Sequence, residues 1–208
     1  MTPPTLVIGT PNLSSWSLRP WLLMRQLDIP FREVVVELDR PTTRAEILAH
    51  SPAARVPVLK EEGLVIWDSL AVIEYLAERH PERGVWPEDR GDRAQARSLA
   101  AEMHSGFASL REELPVNVTA RLPGRSFSAP AAADIARITA CWGAALAGRG
   151  NDGPFLFGAF SAADAMFAPV VSRLVTYDVP LDAPAARYRE TIWELEAMAE
   201  WRRKAGEA

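Results

Sequence analysis

The chain has 208 residues, with 23 basic and 27 acidic side chains and a formal net charge of −4. That length suits one large domain or two small ones with a proper core, and the acidic balance argues against nucleic acid or an anionic membrane as the main partner. The single cysteine, Cys141, excludes an intramolecular disulfide and suits a reducing cytoplasm.

Leu6-Val7-Ile8-Gly9 reads as a short buried strand ending in glycine, and residues 10–17 as a polar loop. Apolar positions at Leu18, Trp21, Leu22 and Met24 predict a helix over 18–27, with Pro20 in its first turn and Asp28-Ile29-Pro30 stopping it. Residues 31–38, with Val34-Val35-Val36, predict a second strand parallel to the first, and 44–48 a short helix ended at Ser51-Pro52. A strand at Val58-Leu59, a turn over 60–63 and a strand over 64–67 follow, then a helix over 69–79. The order βαβ, α, ββ, α is a thioredoxin-like α/β arrangement with a mixed sheet.

Two prolines and a glycine between His80 and Pro87 mark a composition break. The expectation is a domain over 1–82, a linker over 83–90 and an all-α C-terminal domain over 91–208. Within the latter, helices are predicted over 90–114, up to the interruption at Pro115, and over 131–149, ended by a break at 150–153. Ser161 and Asp164 form a capping box that opens another helix, and a last one spans 187–204. The basic run Arg202-Arg203-Lys204 reads as a solvated helix end. No apolar run reaches membrane-spanning length, and no charged N-terminal stretch leads into a long apolar one, so a soluble, unsecreted protein is expected.

Residues 55–76 are the most informative segment. Pro57 has no N–H, so it fits a strand only at its start or edge. A cis Val56-Pro57 bond would turn the N–H and C=O of Val56 outward, where they can pair with a peptide-like ligand. Asp68 and Ser69 stand where a helix begins. A carboxylate there can hold an ammonium, while a hydroxyl and free helix N–H groups can hold a carboxylate. Together they form a receptor for an extended zwitterionic peptide.

The pattern Val-Pro, hairpin, then Asp-Ser ahead of Ala-Val-Ile-Glu-Tyr-Leu resembles the glutathione-binding half of the cytosolic glutathione transferase family, over residues 6–86 and more weakly beyond. Ser14-Ser15-Trp16-Ser17-Leu18-Arg19 resembles the bacterial serine-type members, the zeta class in particular. The resemblance implies a glutathione transferase, homodimeric and cytoplasmic, that takes glutathione as co-substrate together with a small electrophile. Carried over, Ser14 contacts the sulfur, Ser15 is its auxiliary, and Arg19 supports them from behind. Arg55, Val56, Pro57, Asp68 and Ser69 complete the glutathione site. Trp16 stands where the zeta motif has cysteine and Pro20 where it has valine, which counts against the zeta isomerase activity and leaves the transferase expectation.

In thioredoxin-like proteins the Ser14–Ser17 position carries reactive cysteines. A hydroxyl is too weak an acid to replace them as redox nucleophile, but it can donate a hydrogen bond to a thiolate brought by a ligand. Capping is the commoner use of serine before a helix. His104 and Arg111, seven residues apart on the same face of a predicted helix, are candidates for the electrophile pocket, His104 as a lining residue or proton relay and Arg111 as an anion attractor. A packed histidine and an ion-paired arginine are the plainer alternatives. Cys141 reads as a small buried hydrophobe. With three histidines and one cysteine there is no metal-ligand spacing, and there is no Gly-rich phosphate loop. The rival expectations are a glutathione-dependent isomerase of maleylacetoacetate type and a non-catalytic glutathione-binding or regulatory module.

Overall fold

Strand β1 (Thr5–Gly9) lies between two partners in the computed structural model, which describes residues 2–148 and 153–207. It pairs in parallel with β2 (Arg32–Val36) and antiparallel with β3 (Val58–Glu61), which pairs antiparallel with β4 (Leu64–Trp67), in the order β2-β1-β3-β4. β1 is apolar almost throughout because both of its faces are covered. Leu6, Ile8 and Leu59 cluster with residues of α1 (Ser15–Gln26) and α3 (Ser69–Arg79). Val7, Val36 and Val58 meet Ile47 of α2 (Thr43–Leu48) on the opposite face. Successive strand residues point to opposite faces, so alternate residues serve the two layers. The expected mixed thioredoxin-like arrangement is present.

Helix α1 starts three residues earlier than the sequence predicts, because the Ser14 oxygen accepts the Ser17 N–H and caps it. Pro20 therefore falls in its second turn. The β3–β4 connection is also tighter than expected. Only Glu62 and Gly63 turn, both at positive φ (48° and 87°), the two-residue geometry that suits strand twist. Glu61, which reads as a turn residue, is a buried strand residue: it accepts the Tyr75 hydroxyl at 2.7 Å and lies 3.7 Å from Arg79.

Beyond Arg79, a short 3-10 turn (Pro81–Arg83) leads to α4 (Arg90–Ser105). The single helix expected over 90–114 is two. It breaks at Gly106 and Phe107, the latter at φ 61°, and α5 (Ala108–Glu113) follows. Helix α6 (Ala129–Ala147) is capped by Ser128; its predicted end at Arg149 and the break over 150–152 lie outside the described residues. Helix α7 (Ala162–Thr176) is buried along nearly its whole length. The predicted last helix is also two, α8 (Ala183–Trp193) and α9 (Glu196–Glu207). Arg202 donates to the Trp193 carbonyl at 2.7 Å across that break and stacks on the Trp193 ring, and Lys204 pairs with Glu33 at 3.0 Å. The basic run is thus tied to the fold rather than solvated at both of these positions.

The capping box forms as expected. Asp164 is fully buried and accepts from Ser161 N at 2.9 Å, Ser161 Oγ at 3.2 Å, Leu156 N at 3.1 Å and the Tyr188 hydroxyl at 3.0 Å. Burial pushes its carboxyl up to about 6, against the four donors. Helix α7 packs against α1, α4 and α8, so one apolar core runs from the sheet into the helices. Helix α9 closes it from the other side, with Trp201 against Trp21 at 4.9 Å. No helix among the described residues is long and apolar enough to cross a membrane, and no group of metal-ligating side chains converges there.

Candidate functional site

A cleft of about 850 Å³ opens where the N-termini of α1 and α3 meet the turn into β3. Ser14, Arg55, Val56, Pro57, Asp68, Ser69 and His104 all line it. The Val56-Pro57 bond is cis. Ser15, on the first turn of α1, and Arg111, on α5, do not reach its wall.

At the α1 end, the hydroxyls of Ser14 and Ser17 lie 2.7 Å apart. Ser14 Oγ accepts the Ser17 N–H at 3.3 Å, and Ser17 Oγ accepts the Gly9 N–H at 3.1 Å. Ser14 is 4% exposed and Ser17 fully buried. Ser14 is the donor of that pair; a hydroxyl proton can turn about its C–O bond, and with both turned Ser17 donates to Ser14 and the Ser14 proton is directed into the cleft. Chained hydrogen bonds polarise one another and strengthen the last donor. With the positive end of the α1 dipole behind it, this is a place for an anion.

At the α3 end, Asp68 sits at φ 77° and ψ 133°, a costly conformation for a side-chain-bearing residue. Its Oδ1 caps α3 by accepting from Leu70 N at 2.9 Å and Ala71 N at 3.3 Å, and its Oδ2 lies 3.2 Å from His104 Nε2. Ser69 is buried and its oxygen accepts from Arg19 Nη1 at 3.3 Å, which leaves the Ser69 proton free for a carboxylate in the cleft. Arg55 is exposed on the rim.

Trp16, read from the sequence only as a departure from a motif, is a hub of the site. It lines the cleft at 36% exposure. The guanidinium of Arg19 lies 4.2 Å from its ring centre and that of Arg111 4.9 Å, and His104 meets it edge-on at 5.2 Å. Arg19 is 1% exposed, and burial, with Arg111 and Arg173 nearby, lowers its guanidinium to about 9 against the pull of Asp68. It stays charged at neutral pH, supported by the Trp16 ring. Trp16 and Arg19 are three apart on one helix face, a spacing that could have flagged them as a pair. Arg111 gives its donors to carbonyls instead of the cleft: Gly106 at 3.0 Å, His104 at 3.2 Å and Met103. It caps the C-terminal end of α4, where a cation meets unpaired carbonyls and the negative dipole end. Cys141 is buried far along α6, and burial pushes its thiol up, so it behaves as the expected small hydrophobe.

One wall of this cleft can hold an anion near Ser14, and the other can hold an ammonium and a carboxylate at Asp68 and Ser69. Residues 13–79 match the family description "Glutathione S-transferase, N-terminal domain". A probable maleylacetoacetate isomerase of Caenorhabditis elegans is 35% identical over 46% of this chain and 44% of its own. Glutathione S-transferase 1 of Dianthus caryophyllus is 39% identical over 40% and 38% respectively. The chain spans about half the length, or less, of such curated relatives. A Burkholderia glutathione transferase homolog, solved with bound glutathione, is 25% identical over 100% of both chains with a TM-score of 0.74.

Proposed function

Starting from an N-terminal region that belongs to the glutathione S-transferase family, we propose that this chain binds glutathione and activates its thiol for attack on a small electrophile. The observation that carries the reading is the convergence in one cleft of Ser14, at the start of α1, with Asp68 and Ser69, at the start of α3. Glutathione lies extended between them. Its α-ammonium meets Asp68, and its γ-glutamyl carboxylate takes the Ser69 proton at the positive end of the α3 dipole. Its cysteine backbone pairs with Val56, and its glycine carboxylate lies towards Arg55.

The sulfur then falls at Ser14. Loss of the thiol proton to solvent leaves a thiolate, which accepts the Ser14 proton while Ser17 donates to Ser14. The thiolate forms a new C–S bond at the electrophile, and the displaced group departs with its electron pair. The Burkholderia relative, solved with glutathione, supports the choice of ligand. Homodimerisation, expected from the resemblance, is supported by Leu64, which stays 52% exposed on edge strand β4. A single buried cysteine is compatible with the cytoplasm.

A second reading keeps the site and changes the outcome: the thiolate adds to a maleylacetoacetate-type diene and leaves again. The name of the worm relative favours it, while Trp16 and Pro20 separate this chain from the zeta motif. Calorimetry with glutathione tests the binding step. Parallel assays with a chlorinated aromatic and with maleylacetoacetate separate conjugation from isomerisation. Absence of glutathione binding at millimolar concentration would refute both readings.

A further inference from the structure

We propose that His104 is a positioning residue for Asp68, holding from the helical side of the cleft the carboxylate that receives the ligand's ammonium. The inference rests on the glutathione reading and deepens it. Asp68 Oδ1 is committed to the N–H groups of Leu70 and Ala71, so only Oδ2 remains for a ligand. That oxygen lies 3.2 Å from His104 Nε2, the contact that ties the cleft's ammonium end to α4. His104 is itself fixed twice: its ring edge packs on Trp16, and its carbonyl is gripped by Arg111 at 3.2 Å.

The other ring nitrogen, Nδ1, is buried without a partner. An unpartnered lone pair is tolerated more easily than a buried N–H, so the ring is neutral and its hydrogen sits on Nε2, facing Asp68. The charged groups facing the ring are Asp68 from α3, Arg19 from α1 and Arg111 from α5. Burial first, then the two arginines, hold the imidazole below its usual range, against Asp68. At neutral pH His104 is therefore an uncharged donor that shares the carboxylate with an incoming ammonium. When pH falls through its lowered value, the imidazolium becomes a rival cation at the same oxygen, and affinity falls. By linkage, the bound ammonium lowers the imidazole further.

S-methylglutathione is the probe, because it has no titrating thiol, and calorimetry reads its affinity. His104→Gln keeps a donor near the Nε2 position and cannot be protonated, whereas His104→Ala removes the donor. At neutral pH, His104→Ala is expected to bind roughly fivefold more weakly and His104→Gln within about twofold of wild type, the scale of one hydrogen bond. As pH falls through the lowered imidazole value, wild type is expected to lose about fivefold, the scale of two like charges about 4 Å apart in water, and His104→Gln to stay level. In an Asp68→Ala background, His104→Ala should add no further loss. Unchanged affinity in His104→Ala, a wild-type pH slope in His104→Gln, or an undiminished His104→Ala effect without Asp68 would each overturn the role. Wild-type protein that binds neither glutathione nor its S-methyl derivative would instead bring down the glutathione reading.

Discussion

Removal of the Ser14 hydroxyl should raise the pKa of the bound glutathione thiol by about 1–2 units. Ser14 Oγ donates to Ser17 Oγ at 2.7 Å and accepts from Ser17 N at 3.3 Å, and a thiolate in the cleft would draw that proton round to itself while Ser17 donates to Ser14. A hydrogen bond to a charged partner contributes about 1.5–3 kcal/mol, and one pKa unit corresponds to 1.36 kcal/mol, which gives the stated shift. The α1 dipole adds about 0.3–1 kcal/mol and survives the substitution, because it belongs to the backbone. The Ser14→Ala complex should therefore titrate a little below the free thiol value of about 8.5. The sign is that of a depressed acid: thiolate is present above the lowered pKa and lost as pH falls through it. Ultraviolet titration of the thiolate in the complex measures the shift directly. Cys141 does not intrude, since burial pushes its own thiol up. Conjugation near neutral pH should slow roughly tenfold or more, while affinity for S-methylglutathione stays within about twofold, a difference below 0.5 kcal/mol. Ser17→Ala should give a smaller shift and a larger stability loss of about 1–3 kcal/mol, because the buried Gly9 N–H loses its acceptor. An unmoved titration in Ser14→Ala would refute the donor role. A movement in Ser15→Ala alone would transfer it to the neighbouring hydroxyl.

Asp68→Ala should weaken glutathione binding by about 1.5–3 kcal/mol in calorimetry, with about 1 kcal/mol lost from the α3 cap in denaturant unfolding; unchanged affinity would leave Asp68 as a cap only. Asp164→Ala should destabilise the fold by about 3–5 kcal/mol, because four donors lose a buried acceptor together, while glutathione affinity of the folded fraction stays the same. Arg111→Met should lower stability by about 2–4 kcal/mol through the carbonyls it caps, with KM for an anionic electrophile unchanged. A raised KM at unchanged stability would restore the anion-attracting role that its sequence position implies.

The parts of the site that the sequence discloses are those where a residue type has few local uses. Pro57 at a strand start, Asp68-Ser69 at a helix start and Ser14 before a helix each announce a special backbone position. The cleft brings all of them together. The parts it conceals depend on distant partners. Arg111 looks like a surface cation until α4 ends early and presents its carbonyls. That end is set by Gly106 and Phe107, and the Leu110 N–H is taken by Asp134 from α6 at 3.0 Å. A glycine inside a helical pattern does not reveal such a break on its own. Glu61 is concealed for a related reason, since its hydrogen-bond partner in the interior is Tyr75, fourteen residues away. The meeting of His104 with Asp68 spans two packed layers and leaves no local trace in either segment.

Helix α1 has a mechanical role in this molecule. It carries Ser14 and Trp16 at its tip, lies under the sheet through Leu18 and Leu22, and is wedged against α7 and α9 at the same time. A hinge that parted the sheet from the helices would have to pull it out of a continuous apolar interior, exposing two facing tryptophans to water. Opening of that kind is disfavoured on the scale of global unfolding. The cleft is consequently a standing feature and not a closing jaw. The groups at its mouth that can move without disturbing that interior are exposed rim side chains such as Arg55, Leu13 and Trp67.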